Sequence, residues 1–312
     1  MKLAFVFPGQ GSQSVGMMDG WVGNEAAEQV LEEAGRSLKE DLASLVHKGP
    51  TEILNLTVNT QPVMLASSLA MYRAYRAAGG RAPDVMAGHS LGEYTALTAA
   101  GAFSLFDAVR LVRFRAEAMQ SAVPVGVGSM AAIIGGKDDV LAEVCKQAAQ
   151  GEVVEMVNFN APGQIVIAGH RNAVERACAL AVAKGARRAV KLPVSAPFHS
   201  SLLIDAARAI AVRLAQTAVN VPQIPVIANV DVLVHDTPES IRDSLARQAS
   251  RPVQWVKTIE KMRDMGVTHI VECGPGKVLT GLIRRIAPEI QTMSINSQAS
   301  LDSILATESF RE

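Results

Sequence analysis

The residues with the clearest chemical potential are Gly88-His89-Ser90-Leu91-Gly92, which place a serine between two glycines at G-x-S-x-G spacing. An apolar stretch precedes them, and an Ala- and Leu-rich run over 93–100 follows. A strand, a sharp turn and a helix form the context in which this pattern makes a nucleophile elbow. The glycines permit the strained turn, and the helix N-terminus offers free N–H groups where an oxyanion would form. The alternative interpretation is an ordinary Gly/Ser turn, because so short a pattern often occurs by chance.

A serine nucleophile needs a base, and His199 is the best placed of the six histidines. It follows Pro197 and Phe198 just before a predicted helix, which is a good mount for a catalytic imidazole. His89 adjoins Ser90, but neighbours around a sharp turn usually point apart. The remaining four are predicted to be bystanders in helix ends or surface-like contexts: His47, His170, His235 and His269. A helix-capping or surface role for His199 is the alternative.

Arg115 is the third candidate, because a predicted helix over 104–122 places it on a face of small apolar residues. The residues of this face recur at helical spacing: Ala108, Leu111, Arg115, Ala118 and Ala122. An inward-facing arginine needs an acidic partner. That partner is either a carboxylate of the protein or a substrate carboxylate held by the planar guanidinium.

The elements that must position these residues fall into three stretches. The first, 1–124, alternates strands at 2–7 and 84–88 with helices, which is typical of a parallel α/β fold. The second, 125–194, has the order β-α-β-β-α-β of a ferredoxin-like unit. The third, 195–312, returns to α/β, with strands at 225–229 and 268–272 and a last helix after Gly274-Pro275-Gly276. Helices are predicted at 24–34, 51–55, 61–78, 93–100, 104–122, 137–150, 172–184, 204–219, 240–248 and 253–265.

Composition excludes several classes of function. The 312 residues suit one large domain or two, and 30 basic against 30 acidic residues leave no broad charge for nucleic acid or a membrane surface. No apolar run approaches the ~18 residues of a membrane helix. The three cysteines, Cys145, Cys178 and Cys273, lack metal-ligand spacing, which favours free thiols in a reducing, cytoplasmic setting. Gly274-Pro275-Gly276 lacks the spacing of a phosphate loop and is interpreted as a tight turn.

Six short motifs in a fixed order carry a family resemblance. They are Gly9-Gln10-Gly11-Ser12-Gln13, Gly88-His89-Ser90-Leu91-Gly92-Glu93, Arg115 with Met119-Gln120, Met130-Ala131-Ala132-Ile133, Pro197-Phe198-His199-Ser200 and Gly274-Pro275-Gly276-Lys277-Val278-Leu279. Each motif is weak alone, but the set resembles the malonyl-CoA:acyl carrier protein transacylases of bacterial type II fatty acid synthesis over nearly the whole chain. The resemblance implies a hydrolase-like α/β catalytic domain, 1–124 and 195–312, with a ferredoxin-like subdomain at 125–194.

The resemblance also implies roles for individual residues. Ser90 is the acylated nucleophile, and His199 takes its proton and later activates the carrier thiol. Backbone N–H groups of Gln10 and Leu91 form the oxyanion hole. Arg115 pairs with the malonyl carboxylate.

Two further roles follow from the resemblance. The family orients its histidine through the backbone carbonyl of a glutamine, and the matching residue here is Gln248. The alternative interpretation is that Gln248 only ends a helix and has no role in the site. Phe198 is expected to narrow the pocket so that a branched methylmalonyl unit is disfavoured. The alternative is that Phe198 only packs in the core. Asn160 and Asn229 are further candidates for the pocket lining.

The implied reaction moves a malonyl group from malonyl-CoA to the phosphopantetheine thiol of acyl carrier protein through a malonyl-Ser90 ester, in a ping-pong scheme. It needs no metal, cofactor or prosthetic group, and a monomer is expected. Carrier proteins are acidic, so a basic surface would help docking. Two clusters could supply it: Arg187, Arg188 and Lys191, or Lys277, Arg284 and Arg285.

Three other functions remain open on the sequence. One is an acyltransferase of a polyketide pathway. Another is a serine hydrolase that edits acyl thioesters, although the few strands before Ser90 and the insertion before His199 weaken an ordinary α/β-hydrolase interpretation. The last is a non-catalytic module that binds a carrier protein.

Overall fold

The computed structural model of the chain describes residues 1–194 and 196–312. The strands of these residues are β1 (Leu3–Phe7), β2 (Val85–Gly88), β3 (Gly128–Ile134), β4 (Val154–Ala161), β5 (Gln164–His170), β6 (Arg188–Lys191), β7 (Val226–Ile227), β8 (His269–Cys273) and β9 (Gln291–Ile295). The α-helices are α1 (Glu25–Leu38), α2 (Leu42–Lys48), α3 (Thr51–Leu54), α4 (Thr57–Ala77), α5 (Leu91–Ala99), α6 (Leu105–Ser121), α7 (Asp138–Ala149), α8 (Arg171–Ala183), α9 (Ile204–Ala215), α10 (Pro238–Gln248), α11 (Trp255–Asp264), α12 (Val278–Ile286) and α13 (Gln298–Leu305).

A parallel five-stranded sheet, in the order β7-β2-β1-β8-β9, forms the centre of the larger part of the molecule. Every residue of β1 is fully buried, as expected for a strand with helices on both faces of its sheet. Phe7 at the end of β1 pairs with Gly88 at the end of β2. The loops that follow these two strands therefore start side by side at the carboxyl edge of the sheet, where open α/β folds bind ligands.

A second, antiparallel sheet in the order β4-β5-β3-β6 lies between β2 and β7 in the sequence. Together with α7 and α8 it follows the predicted β-α-β-β-α-β order, and it has its own apolar cluster that includes Ile133, Val144 and Ile167. The predicted α/β fold with a ferredoxin-like subdomain is thus confirmed. The boundaries 125–194 stay a prediction, and residue 195, where the second catalytic segment was expected to begin, lies outside the described residues.

The loop that precedes α11 joins the two parts. Val253 donates its N–H to Val157 O at 2.9 Å and accepts the N–H of Phe159 at 3.0 Å. These bonds fix β4 of the antiparallel sheet against the segment that follows α10. The loops that follow β1 and β2 line a common groove with β3, β4 and β5.

Four details differ from the sequence-based prediction. The helix after Gly274-Pro275-Gly276 is not the last element, because β9 and α13 follow it. Strand β9 has a polar sequence but pairs with β8, so tertiary pairing outweighs its weak local signal. The predicted strand over 225–229 is reduced to the two residues of β7, and α2 was not predicted.

The fourth difference concerns α4, which begins at Thr57 and carries Pro62 in its interior. The predicted start at Gln61 would place Pro62 in the first turn, where proline is tolerated. The hydroxyl of Thr60 donates to the carbonyls of Leu54 and Leu56, which ties the early turn together.

No described helix combines the length and the hydrophobicity that a bilayer crossing requires.

Candidate active site

Ser90 occupies the sharp turn between β2 and α5. Its backbone has φ 52° and ψ −108°, in the region that side chains rarely adopt. A Cβ added to Gly88 would lie 1.9 Å from the backbone of Gly92, and one added to Gly92 would lie 2.0 Å from Phe7 O. Both glycines are therefore required for the close approach of strand, turn and helix, as a nucleophile elbow demands.

His199 lies directly against this serine. Its Nε2 is 2.7 Å from Ser90 Oγ, and its Nδ1 is 2.8 Å from the carbonyl oxygen of Gln248. Because a carbonyl only accepts, Nδ1 carries the proton, and Nε2 is free to accept one from the serine hydroxyl. The geometry matches that of a serine with its base and an orienting acceptor.

Burial is the main cause that lowers the pKa of His199, to about 3, and the positive charge of Arg115 lowers it further. The imidazole is therefore neutral at physiological pH and holds an available lone pair. Its backbone, at φ 65°, is also in the left-handed region. The structure thus positions His199 by constraints on both its ring and its backbone.

Arg115 is buried beside the same serine, with 1% of its surface exposed. Its Nη2 donates to Ser90 Oγ at 3.0 Å and to Gln248 Oε1 at 2.9 Å, while Nη1 donates to Gln61 Oε1 at 2.7 Å. Burial lowers the pKa of this arginine. The inward orientation predicted from helical spacing is confirmed.

The acidic partner expected for Arg115 is reached only through an amide. Gln248 accepts from Arg115 through Oε1 and donates from Nε2 to Glu93 Oε2 at 2.7 Å. None of the ion pairs formed by the described residues includes Arg115. A guanidinium that lacks a direct counter-ion beside a nucleophile can receive the carboxylate of a ligand.

The two residues expected to supply an oxyanion hole line the same cleft as Ser90. Leu91 is the first residue of α5, where a helix leaves its N–H groups without internal partners. Gln10 follows β1, and its side chain donates to Thr57 Oγ1 at 3.1 Å. Within the described parts of the chain, neither backbone N–H has a protein acceptor. Both amides are therefore free to bind a developing negative charge.

The cleft around Ser90 has a cavity volume of about 110 Å³. Its lining combines the polar groups described above with the apolar side chains of Leu91, Met119, Met130, Leu192, Val194 and Phe198. Phe198 is 9% exposed and belongs to this lining. A wider groove between the two sheets shares Gln10, His89 and Asn158 with the cleft and reaches α12.

Neither Gln61 nor Glu93 was a predicted site residue, and Asn229 was a candidate only for the pocket lining. Asn229 accepts the N–H of Ser90 through Oδ1 and donates to Gly88 O through Nδ2, both at 2.7 Å. The amide of Ser90 is thus occupied and cannot serve an oxyanion. Glu93 had a signal, since a carboxylate directly follows the G-x-S-x-G pattern, whereas Asn229 is distant in sequence and had none.

The other histidines do not contact Ser90. His89 turns away from it, and its Nε2 lies 2.8 Å from Asn160 Oδ1. His47 pairs with Asp19 and His235 with Asp231. Among the described residues, no three His, Cys, Asp or Glu side chains are grouped so that they could hold a metal ion.

The sequence and the fold are both similar to those of known acyltransferases. The family model described as "Acyl transferase domain" matches residues 4–300. The malonyl CoA-acyl carrier protein transacylase of Escherichia coli strain K12 is 50% identical over 305 residues, which cover 97% of this chain and 99% of that protein. The protein of that name from Bacillus subtilis strain 168 is 42% identical over 313 residues, covering 98% and 97%.

Solved structures agree with these relatives. The acyl-carrier-protein S-malonyltransferase of Burkholderia pseudomallei is 54% identical and superposes with a TM-score of 0.97, over 98% of this chain and 100% of that one. A malonyl-transacylase solved with a type II polyketide synthase acyl carrier protein is 46% identical, also with a TM-score of 0.97, over 98% and 99%.

Proposed function

The chain belongs to the acyl transferase family, and from that membership and its active site we infer that it is a malonyl-CoA:acyl carrier protein transacylase of fatty acid synthesis. It transfers the malonyl group of malonyl-CoA to the phosphopantetheine thiol of acyl carrier protein. The observation that carries this proposal is the pair of contacts to Ser90 Oγ, with His199 Nε2 at 2.7 Å and Arg115 Nη2 at 3.0 Å. A base and a carboxylate-binding group meet at one nucleophile.

In the first half-reaction, Ser90 Oγ attacks the thioester carbonyl as His199 Nε2 takes the hydroxyl proton. The free amides of Gln10 and Leu91 stabilise the oxyanion of the tetrahedral intermediate. The C–S bond then breaks, and His199 returns the proton to the leaving CoA sulfur. The Gln248 carbonyl keeps Nδ1 protonated and stabilises the transient imidazolium.

In the second half-reaction, the carrier thiol takes the place of CoA. His199 accepts the thiol proton, the sulfur attacks the malonyl ester, and Ser90 leaves with the proton from His199. The apolar cleft lining, with Phe198 and two methionines, restricts the approach of water to the ester.

Arg115 selects the acyl group in both steps. Its guanidinium can exchange the neutral acceptor Gln61 for the malonyl carboxylate and form a charged pair in a buried site. Phe198 limits the room beside the α-carbon, which disfavours a methylmalonyl unit. An acetyl group offers no carboxylate and forgoes this pair.

The acidic carrier protein docks on the cluster of Lys277, Arg284 and Arg285, which are exposed at α12. Two residues of that helix, Val278 and Leu279, line the groove that leads to the cleft. Arg284 and Arg285 bond to the neutral acceptors of Thr292, Gln164 and Pro162, and so keep their charge for a partner. In the rival cluster, Lys191 pairs with the carboxylate of Glu175 at 3.2 Å. Charge reversal at Lys277 and Arg284 should slow transfer to the carrier at low salt without slowing transfer to a small thiol.

The test of the transferase activity is the intact mass of the pure protein after mixing with malonyl-CoA, followed by addition of holo acyl carrier protein. We expect a gain of one malonyl group, absent in Ser90→Ala, that moves onto the carrier. Rapid release of malonate without an adduct would show a thioester hydrolase instead. An inert protein would refute both the substrate and the chemistry.

Two further proposals concern organisation and location. The catalytic domain comprises 1–124 and 195–312, with the subdomain at 125–194, which is supported by the confinement of the antiparallel sheet to residues 128–191. A cytoplasmic location is supported by the three cysteines, all of which are free.

A further inference from the structure

We propose that Glu93 is a positioning residue. Its carboxylate oxygen Oε2 holds in place both the nucleophile turn and the segment that orients His199. The proposal rests on acyl transfer at Ser90. Oε2 accepts two hydrogen bonds, one from Gln248 Nε2 at 2.7 Å and one from the backbone N–H of Asn229 at 3.1 Å. The side chains of the same two residues also bond to Ser90, Gln248 to its carbonyl oxygen and Asn229 to its N–H.

The first connection runs from Glu93 through Gln248. The Nε2 of Gln248 also donates to Ser90 O at 3.0 Å, and its Oε1 accepts from Arg115 at 2.9 Å. The backbone carbonyl of the same glutamine accepts from His199 Nδ1. A shift of the Gln248 side chain would therefore move the acceptor that sets the imidazole orientation.

The second connection runs from Glu93 through Asn229. The side chain of Asn229 bridges Ser90 N and Gly88 O, which are the two ends of the strained turn. Its backbone carbonyl accepts the N–H of Gln254, in the loop between α10 and α11. Glu93 thus fixes the backbone of the residue that braces the elbow.

Burial makes the exact location of this oxygen important. Glu93 is 2% exposed and sits in the first turn of α5, so water cannot replace a lost acceptor without rearrangement. Burial also raises the pKa of Glu93 to about 7, which indicates a carboxyl group that is not held by a strong direct counter-ion. Both connections therefore depend on the location of the acceptor oxygen more than on its negative charge.

Two variants separate the location of the acceptor from the charge. Glu93→Gln keeps an oxygen at the same reach and removes the charge. Glu93→Asp keeps the charge and withdraws the oxygen by one methylene. The control is Asp84→Glu, which also displaces a carboxylate oxygen by one methylene. Asp84 Oδ2 accepts the N–H of Leu3 at 2.7 Å where β1 begins, at the edge of the parallel sheet opposite to Ser90.

The measurement is the single-turnover rate constant for malonylation of Ser90 at saturating malonyl-CoA, with the dissociation constant from its concentration dependence and the folded fraction from circular dichroism. We expect Glu93→Asp to lower the rate constant about 100-fold, because a misplacement of about 1 Å has that effect on catalysis. Glu93→Gln should retain the rate within about tenfold of wild type. Asp84→Glu should lower the melting temperature and leave the rate constant unchanged.

The opposite pattern would overturn the proposal. If Glu93→Gln loses as much as Glu93→Asp, the negative charge itself is required and Glu93 serves as the counter-ion of Arg115. If both variants keep the wild-type rate constant, neither connection positions the catalytic groups. A wild-type protein that forms no Ser90 adduct would instead refute the transferase activity, so the two failures are distinguishable.

Discussion

Replacement of Arg115 by alanine should remove malonyl selectivity while sparing the catalytic chemistry. The guanidinium is buried and meets Gln61, Gln248 and Ser90 within 3.0 Å. Loss of one member of a buried charged pair typically costs about 3–5 kcal/mol. For the malonyl substrate this corresponds to a decrease of about 10²- to 10³-fold or more in kcat/KM.

An acetyl group makes no such pair, so its transfer should change by no more than about tenfold. The variant leaves the acceptors on Gln61 and Gln248 without their donor, which lowers stability. It also removes a positive charge that lowers the pKa of His199, so that pKa rises. Neither effect distinguishes malonyl from acetyl.

The assay compares initial rates of transfer from malonyl-CoA and acetyl-CoA to holo acyl carrier protein, at equal concentrations of folded enzyme. The matched control is Arg113→Ala, because Arg113 lies on the same helix and pairs with Glu40 at 2.7 Å at the surface. The control should keep the wild-type preference. Equal losses of malonyl and acetyl transfer in Arg115→Ala would show that Arg115 is structural and would refute the assigned role.

Three further predictions follow from the packing and ionisation of the site. Gly92→Ala should abolish the malonyl adduct, because its Cβ would lie 2.0 Å from Phe7 O. The control is Gly281→Ala, where a Cβ meets nothing within 4 Å, and it should raise the stability measured by thermal unfolding by about 0.5–1 kcal/mol. Burial raises the pKa of Glu93 from 4.5 to about 7 in the folded protein, so the unfolded chain loses this proton at a lower pH than the folded one. The free energy of unfolding of the wild type should therefore fall by up to ~3 kcal/mol relative to that of Glu93→Gln between pH 5 and pH 8. Urea titrations of both proteins at each pH measure this difference in unfolding free energy, and a difference that does not change with pH would contradict the prediction. Phe198→Ala should raise methylmalonyl transfer relative to malonyl transfer by about tenfold or more, since a methyl group is worth about 1–3 kcal/mol in an apolar pocket; an unchanged ratio in competition assays would assign Phe198 to packing alone.

Much of the site could be predicted from local sequence because its parts depend on local geometry. The need for Gly88 reflects a contact within one strand, turn and helix, whereas Gly92 is required by its approach to β1. Arg115 is placed by the 3.6-residue period of α6. The order of strands and helices over 128–191 likewise follows from periodicity. The role of Gln248, however, came from a family resemblance, since nothing in its own segment indicates that its carbonyl meets an imidazole.

By itself, the sequence determined the α/β class, the inserted antiparallel unit, the nucleophile turn and the inward face of α6, because short-range sterics and hydrophobic periodicity act between neighbours in the chain. Only the tertiary structure decided that Glu93, Gln248 and Asn229 form one hydrogen-bonded network around Ser90 and His199. The contacts that join Glu93 and Ser90 to Asn229 and Gln248 span more than 130 positions, as in Glu93 to Asn229. Hydrogen bonds over such separations exist only after the sheets and helices have packed, because packing, not local propensity, brings the donors and acceptors within reach and excludes the water that would otherwise satisfy them.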